Sequence, residues 1–148
     1  MNRNRIYEQL KIDEGVKYEI YHDHLGYPTF GVGHLITVDD PESAYDIGEP
    51  VSVERVIEAF ERDLDIAISE CIVLYGNAEW DMFPGEVQEI LVNMMFNLGR
   101  PKLSKFKRMN LALLNHDWKL AAVEGRDSLW YRQVTNRAER LMRILETV

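Results

Sequence analysis

The first quarter of the chain carries two carboxylates and a hydroxyl that acid–base chemistry could use. Eight residues separate Glu14 from Asp23, and five separate Asp23 from Thr29. Glu14 ends a predicted helix, where the negative end of the helix dipole favours a protonated acid, whereas Asp23 lies in a polar turn that favours an ionised base. One acid and one base are the pair that glycoside hydrolysis requires. Because the chain has 25 acidic residues, simply solvated carboxylates are the alternative.

The elements that must position these residues indicate an α+β fold. Apolar residues at helical spacing predict a first helix over Arg3–Glu14. Short aromatic and β-branched runs between residues 18 and 34 predict a small antiparallel sheet. From Ser52 an apolar stripe predicts a helix of about twenty residues that ends at Gly76. We expect one domain of 148 residues. It should consist of an N-terminal lobe with the sheet (1–51), a connecting helix (52–76) and an all-helical C-terminal lobe (77–148).

The C-terminal half predicts helices only. After Pro84 a nearly all-round apolar segment predicts the buried centre of a helical bundle, and Gly99 is expected to end it. Trp118 and Trp130 are expected in the core of this lobe. Shorter amphipathic helices are expected over residues 106–114, 118–123 and 135–145.

Charge is divided unevenly along the chain, whose net charge is −8. Residues 1–99 hold 6 basic and 20 acidic side chains, whereas residues 100–148 hold 11 basic and 5 acidic ones. The basic part could face an anionic polymer, or the division could reflect solvated helix faces only. The acidic total argues against nucleic acid as a partner, and no apolar run reaches the ~20 residues of a membrane span.

Metal and thiol chemistry find little support. The single cysteine, Cys71, excludes an internal disulfide and a thiolate metal cluster, and its apolar neighbours predict a place in the core. His34 could be a metal ligand or a base, but no other His or Cys lies at ligand spacing, so a structural role is favoured. We expect no cofactor and no metal.

Several separate motifs resemble the phage-type lysozymes, glycoside hydrolase family twenty-four. The catalytic pattern of that family, Glu, eight residues, Asp, five residues, Thr, is matched by Glu14, Asp23 and Thr29. The likeness runs nearly end to end, through Gly-Val-Gly-His at 31–34, Phe-Glu-Arg-Asp at 60–63, Asn-Met-Met-Phe-Asn-Leu-Gly at 93–99, Trp-Tyr at 130–131 and Asn-Arg-Ala at 136–138.

The resemblance implies a two-lobe lysozyme fold and a muramidase. Such an enzyme hydrolyses the β-1,4 bond between N-acetylmuramic acid and N-acetylglucosamine in bacterial peptidoglycan. Glu14 would be the general acid, Asp23 would orient and help deprotonate the attacking water, and Thr29 would hold that water. An acid and a water-positioning base on opposite faces of the sugar imply inversion.

The resemblance also implies supporting residues. Leu35 and Phe96 match positions that contact the saccharide, although Phe96 is equally plausible as a core residue. Arg137 matches an arginine that approaches the catalytic glutamate. His34 and Asp63 match a buried ion pair between the sheet and the long helix. Two further saccharide-contact positions are occupied by different residue types, Met109 and Glu124, and no binding role is carried over to them.

The expected setting is bacterial cell-wall lysis. Since the N-terminus lacks the apolar stretch of a signal peptide, we expect synthesis in the host cytoplasm, release with the help of a separate holin-type protein, and action on the wall as a monomer. A virion-borne enzyme is left open. The alternatives are a non-catalytic wall-binding or scaffolding module, and a lytic transglycosylase, which needs no water-positioning base. Retention of Glu14, Asp23 and Thr29 argues against the first alternative, and the presence of Asp23 and Thr29 argues against the second.

Overall fold

The computed structural model describes residues 1–148 as eight α-helices, one short 3-10 helix and a three-stranded sheet. The strands are β1 (Lys17–His22), β2 (Pro28–Gly31) and β3 (His34–Leu35). The helices are α1 (Arg3–Glu14), α2 (Val53–Tyr75), α3 (Asn77–Met82), α4 (Gly85–Leu103), α5 (Lys107–Leu114), α6 (Trp118–Arg126), α7 (Leu129–Gln133) and α8 (Thr135–Glu146). The predicted α+β class is therefore confirmed.

The residues pack as two compact units. We call Arg3–Ile66 the N-terminal unit, and Met1–Asn2 together with Ala67–Val148 the C-terminal unit. The boundary falls inside α2. The division at residues 51 and 76 that the sequence predicts stays a prediction. None of the helices combines the length and apolarity that crossing a bilayer would demand.

The helices α1 and α2 form where the sequence predicts them. In α1, Ile6 and Leu10 are buried, and the tyrosine between them, Tyr7, places its ring 4.6 Å from that of Phe60. Gly15 ends α1 with a φ of 77°, a conformation that L side chains adopt only with strain. The helix therefore stops directly after Glu14.

Helix α2 begins with a side-chain cap and carries one buried stripe. The hydroxyl of Ser52 accepts a hydrogen bond of 3.1 Å from the N–H of Arg55. The stripe recurs every three or four residues and consists of Val56, Phe60, Leu64, Ala67, Cys71 and Tyr75. Cys71 is fully buried, as predicted, and burial raises the pKa of its thiol to about 12.

The sheet is antiparallel with the order β1-β2-β3. Phe30 pairs with His34 across β2 and β3, and this pair lies on what we call the helix face. Phe30 is fully buried there, and the guanidinium carbon of Arg55, a residue of α2, lies 5.4 Å from the centroid of its ring. The helix face therefore packs closely on α2.

The opposite face of the sheet carries a second row. Tyr21 pairs with Thr29, and Thr29 pairs with Leu35. Residues directly opposite one another on antiparallel strands share a face, so these three side chains form one line across the sheet. We call this the opposite face.

The C-terminal unit is helical, as predicted. Helix α4 buries most of its first three turns, and Gly99, with a φ of 76°, interrupts it at the predicted place. A last helical turn nevertheless continues to Leu103, with Pro101 near its start where proline is tolerated. Helices α3 and α7 were not predicted, because six and five residues are too short to show a period. Each is anchored by one buried tryptophan, Trp80 and Trp130.

Candidate active site

Glu14 occupies the last position of α1 and lies against the turn between β2 and β3. The side chain is half-buried. A side-chain carbon at Gly33 would lie 3.8 Å from both Cβ and Oε2 of Glu14. Gly33 has a φ of 62°, so glycine satisfies the backbone here and also leaves space beside the carboxyl group. The sheet and the end of α1 thus enclose this acid from one side.

Asp23 begins the turn that joins β1 to β2, and the turn fixes its carboxylate. Oδ1 accepts two backbone hydrogen bonds, from Leu25 N–H at 2.9 Å and from Tyr27 N–H at 2.8 Å. Gly26, with a φ of 87°, closes the turn by donating its N–H to the carbonyl of Asp23. Asp side chains stabilise turns in this way. Oδ2 makes no hydrogen bond within the chain and remains available as an acceptor.

Thr29 lies in β2 and is 3% exposed. Its hydroxyl donates a hydrogen bond of 3.0 Å to the carbonyl of Tyr27. The hydroxyl proton is therefore committed to the backbone, while the oxygen keeps lone pairs that can accept a hydrogen bond.

One backbone residue links Asp23 to Thr29. The N–H of Tyr27 binds the Asp23 carboxylate, and the carbonyl of Tyr27 accepts both the Asp23 N–H, at 2.9 Å, and the Thr29 hydroxyl. The two predicted residues thus share one rigid support. The side chain of Tyr27 takes no part in these bonds and is 55% exposed.

Tyr21 is a residue of this region that the sequence reasoning missed. Burial raises the pKa of its phenol, and the negative charges of Asp23 and Glu14 raise that pKa further. The register of the sheet pairs Tyr21 with Thr29, which places it beside a predicted site residue. The available signal was position, because Tyr21 lies near the end of β1, two residues before Asp23, but it is equally well explained as an ordinary strand residue.

The predicted pair of His34 and Asp63 forms within the N-terminal unit. His34 Nδ1 lies 2.7 Å from Asp63 Oδ2. His34 Nε2 lies 2.9 Å from Asp40 Oδ2, a second partner that the sequence reasoning missed. Asp40 is also bound by the N–H of Thr37 and by Arg55, whose guanidinium forms further ion pairs with Glu42.

The network determines the charge states of its members. Burial alone lowers the pKa of His34, but the hydrogen bonds and charges of Asp63 and Asp40 outweigh burial and raise that pKa above its usual value. Burial tends to raise the pKa of Asp40, but the Thr37 N–H and His34 lower it overall. A protonated His34 can donate from both ring nitrogens to two carboxylates, which explains these directions.

The remaining predicted residues have the following places. Leu35 lies in β3 on the opposite face of the sheet and is 51% exposed. Phe96 and Arg137 belong to the C-terminal unit. Phe96 is half-buried in α4, and the guanidinium of Arg137 donates to the side-chain oxygen of the buried Asn93 at 2.8 Å and to its carbonyl at 3.2 Å. Their roles toward a saccharide or toward Glu14 stay predictions.

The structure contains no group of three or more His, Cys, Asp or Glu side chains arranged to hold a metal ion. It does contain the fixed carboxylate of Asp23 and the hydroxyl of Thr29, whose oxygen can accept a hydrogen bond. A second acid, Glu14, lies at the end of α1. Such a set can transfer protons and orient a water molecule.

The sequence of this chain is similar to a protein family and to several known proteins. A family model described as phage lysozyme matches residues 11–143. The chain is 34% identical over 160 residues to the pre-baseplate central spike protein Gp5 of Enterobacteria phage T4, which covers 95% of this chain and 27% of that protein. It is 32% identical over 162 residues to the probable T4-type lysozyme 2 of Dictyostelium discoideum, a match that covers 95% of this chain and 92% of that protein. It is also 32% identical over 163 residues to the probable T4-type lysozyme 1 of the same organism, a match that covers 96% of this chain and 94% of that protein. The chain thus spans about a quarter of the spike protein and nearly the whole of each probable lysozyme.

Proposed function

The chain belongs to the phage lysozyme family, and on that premise we propose that it is an inverting muramidase of bacterial peptidoglycan. Its reaction is the hydrolysis of the β-1,4 bond between N-acetylmuramic acid and N-acetylglucosamine. The observation that carries the proposal is the shared support at Tyr27, which orients Asp23 and Thr29 within the unit that also holds Glu14.

The hydrogen bonds around Tyr27 suit the activation of a water molecule. Asp23 offers the free acceptor Oδ2, and Thr29 offers oxygen lone pairs because its proton is bound to the Tyr27 carbonyl. A water that donates one hydrogen to each acceptor keeps its own lone pair for attack on the anomeric carbon. Asp23 takes the proton that this water loses.

Glu14 completes the reaction as the general acid. It gives its proton to the glycosidic oxygen while the C–O bond breaks, so the leaving sugar departs as an alcohol. The water oxygen forms the new bond on the other face of the ring, which inverts the configuration. One water is consumed, and proton exchange with solvent restores protonated Glu14 and ionised Asp23.

The other predicted residues have supporting roles in this proposal. Leu35 shares a sheet face with Thr29, so its exposed side chain suits a contact with the sugar chain. Phe96 would contribute a second saccharide contact, and Arg137 would act as a supporting residue. His34 and Asp63 would hold β3 on α2, and so would preserve the shape of the sheet rather than take part in chemistry.

The proposal is tested by zymography on purified peptidoglycan with mass spectrometry of the released fragments. We expect clearing, and fragments that have gained water at the reducing muramic acid. Anhydro sugars would instead identify a lytic transglycosylase, and binding to the wall without any fragments would identify a scaffolding module. Early proton NMR spectra should show mainly the α-anomer, whereas a β-anomer would overturn the inverting scheme.

Two settings follow from the relatives. The first is a lysozyme released to the wall with the help of a separate holin-type protein, and the names of the probable lysozymes favour a lysozyme over a spike component. The spike protein favours a wall-cutting part of a virion. Mass spectrometry of purified virions distinguishes them, since only the second setting places peptides of this chain in the particle.

A further inference from the structure

The opposite face of the sheet contains one polar group that the proposed reaction does not use. Tyr21, Thr29 and Leu35 form one row across the three strands. In the proposed reaction Thr29 accepts a hydrogen bond from the water, and Leu35 contacts the sugar chain. Tyr21 completes the row beside Thr29. It lies near the end of β1, two residues before Asp23.

The ring of Tyr21 is held in place, but its hydroxyl is not. The ammonium group of Lys17 lies 4.3 Å from the ring centroid, within the range of a cation–π contact. The side chain is half-buried. Its hydroxyl makes no hydrogen bond within the chain, although the charges of Asp23 and Glu14 both act on it. The phenol therefore combines a ring held by Lys17 with a free O–H donor.

The surroundings of this donor favour a particular acceptor. The proposed water gives its hydrogens to Asp23 and Thr29, and a donor placed on its oxygen would draw electron density from the atom that must attack, so this water is a poor acceptor for the phenol. A saccharide, by contrast, presents many neutral acceptor oxygens. Because its pKa is raised, the phenol stays protonated and neutral in the pH range where a lysozyme works, so it can donate without adding charge.

We infer that Tyr21 is a substrate-binding residue whose phenol O–H donates a hydrogen bond to an oxygen of the sugar at the reacting bond. This inference rests on the proposed function. Its consequence is that the reacting sugar is held from the sheet side by Tyr21 while Glu14 and Asp23 act on its bond. A hydrogen bond that strengthens as the sugar distorts raises kcat more than it lowers KM.

The test is Tyr21→Phe, which removes the hydroxyl and keeps the ring on Lys17. We expect kcat/KM on a defined peptidoglycan fragment to fall about tenfold, the equivalent of one neutral hydrogen bond, chiefly through kcat. The melting temperature should not change, because the hydroxyl has no partner within the chain. Tyr18→Phe is the matched control, since Tyr18 lies on the same strand and is 42% exposed. Tyr18→Phe should keep the wild-type kcat/KM.

Calorimetric titration of the same fragment into Glu14→Gln, with and without Tyr21→Phe, separates this inference from the proposed function. An inactive wild type that binds the fragment would overturn the muramidase proposal, yet weaker binding with Tyr21→Phe would still support the contact. Active wild type with unchanged kcat/KM and unchanged affinity in Tyr21→Phe would overturn the inference. A fall in activity matched by a fall in melting temperature would also overturn it, because that pattern marks a structural residue.

Discussion

The two faces of the small sheet differ in how completely their polar groups are paired. On the helix face, His34 uses both ring nitrogens, on Asp63 and Asp40, and Asp40 also binds Thr37 and Arg55. On the opposite face, the Tyr21 hydroxyl has no partner within the chain, and half of the Leu35 surface is exposed. Both faces are built from the same three strands.

This difference teaches how one short sheet can serve stability and chemistry together. Side chains alternate between faces along a strand, so neighbouring residues such as Thr29 and Phe30 take opposite roles. Saturated hydrogen bonding is typical of a face that stabilises, whereas unsatisfied donors and acceptors beside a fixed carboxylate are typical of a face that binds. Substitutions on the two faces should therefore separate unfolding free energy from activity.

The largest expected effect is the loss of activity in Glu14→Gln. Removing a general acid lowers the rate by about 10²–10⁴-fold. The melting temperature should stay constant or rise, because residues placed for catalysis are often not optimal for stability. Turbidity clearing of cell walls and thermal unfolding measure the two quantities. Glu8→Gln, an exposed position on the same helix, is the control and should clear walls as the wild type does. Wild-type clearing by Glu14→Gln would remove Glu14 from the mechanism.

The next effect belongs to the helix face. Asp63→Asn removes one partner of a largely buried ion pair, and we expect it to lower the unfolding free energy by about 3 kcal/mol near pH 5. Urea unfolding measures this change. Asp65→Asn, on an exposed residue that pairs with Arg3, should cost less than about 1 kcal/mol. Equal losses for the two variants would show that the helix face is no more important to stability than the surface.

The pH dependence of unfolding sharpens the same comparison. The folded-state pKa of His34 is raised, so its contribution is complete below the unfolded value of ~6.5 and disappears as the pH rises through the folded value. The folded-state pKa of Asp40 is lowered, so its contribution is complete above the unfolded value of ~3.9 and disappears as the pH falls through the folded value. The network should stabilise most between about pH 4 and pH 6.5.

Unfolding free energies of the wild type and Asp63→Asn at pH 5 and pH 9 check this window. The difference between the two proteins should shrink at the higher pH, where His34 loses its charge. A difference that grows toward pH 9 would contradict the charged form of His34.

The sequence predicted those helices in which apolar residues repeat over several turns or in which a capping residue or glycine marks an end. Helix α2 shows a stripe over 23 residues with Ser52 as its cap, and both signals are local. Helices α3 and α7 were missed because five or six residues carry no period, and their place depends on the burial of one tryptophan each. Burial of Trp130 was predicted and is confirmed, whereas Trp118 is only half-buried.

The sequence predicted which residues form the candidate site, through their spacing, but not the contacts that hold them. The interval from Glu14 to Asp23 and Thr29 is visible in the chain, whereas the peptide of Tyr27 that joins Asp23 to Thr29 becomes visible only once the turn has folded. Tyr21 was missed because strand register decides its neighbours. Asp40 was missed because it is one of several acids in its loop, and only tertiary contact distinguishes it.

A smaller effect on the opposite face is expected from Thr29→Val. The substitution keeps the shape and removes the oxygen that would accept from the water, so kcat should fall about tenfold or more. Unfolding free energy should change by about 1 kcal/mol or less, since one hydrogen bond to Tyr27 is lost. Thr29→Ser keeps the hydroxyl and should recover much of the rate. Equal rates for the Val and Ser variants would show that the hydroxyl is not used.

The smallest effect concerns charges that lie on neither face of the sheet. Lys102, Lys105 and Lys107 form no ion pair, although the chain is strongly acidic, and they line a cavity of about 670 Å³ with Phe106 and Trp130. Arg100, which belongs to the same basic part of the sequence, is instead bound by Glu70 at 2.6 Å. The three lysines, like Arg108 of the same cavity, therefore keep charges that can attract an anionic wall.

Replacing these three lysines by Gln should lower wall clearing by less than about tenfold, because they assist capture and leave the bond-breaking residues intact. Wild-type clearing should hold steady or rise from ~10 mM to ~150 mM salt, since screening beyond roughly 8 Å weakens the long-range repulsion between an acidic protein and the wall more than it weakens close contacts. Replacing Lys119 and Arg132, exposed cations of the same unit outside the cavity, is the control and should change little. Clearing that falls steadily with salt in the wild type and in the triple variant alike would exclude the lysines from substrate capture.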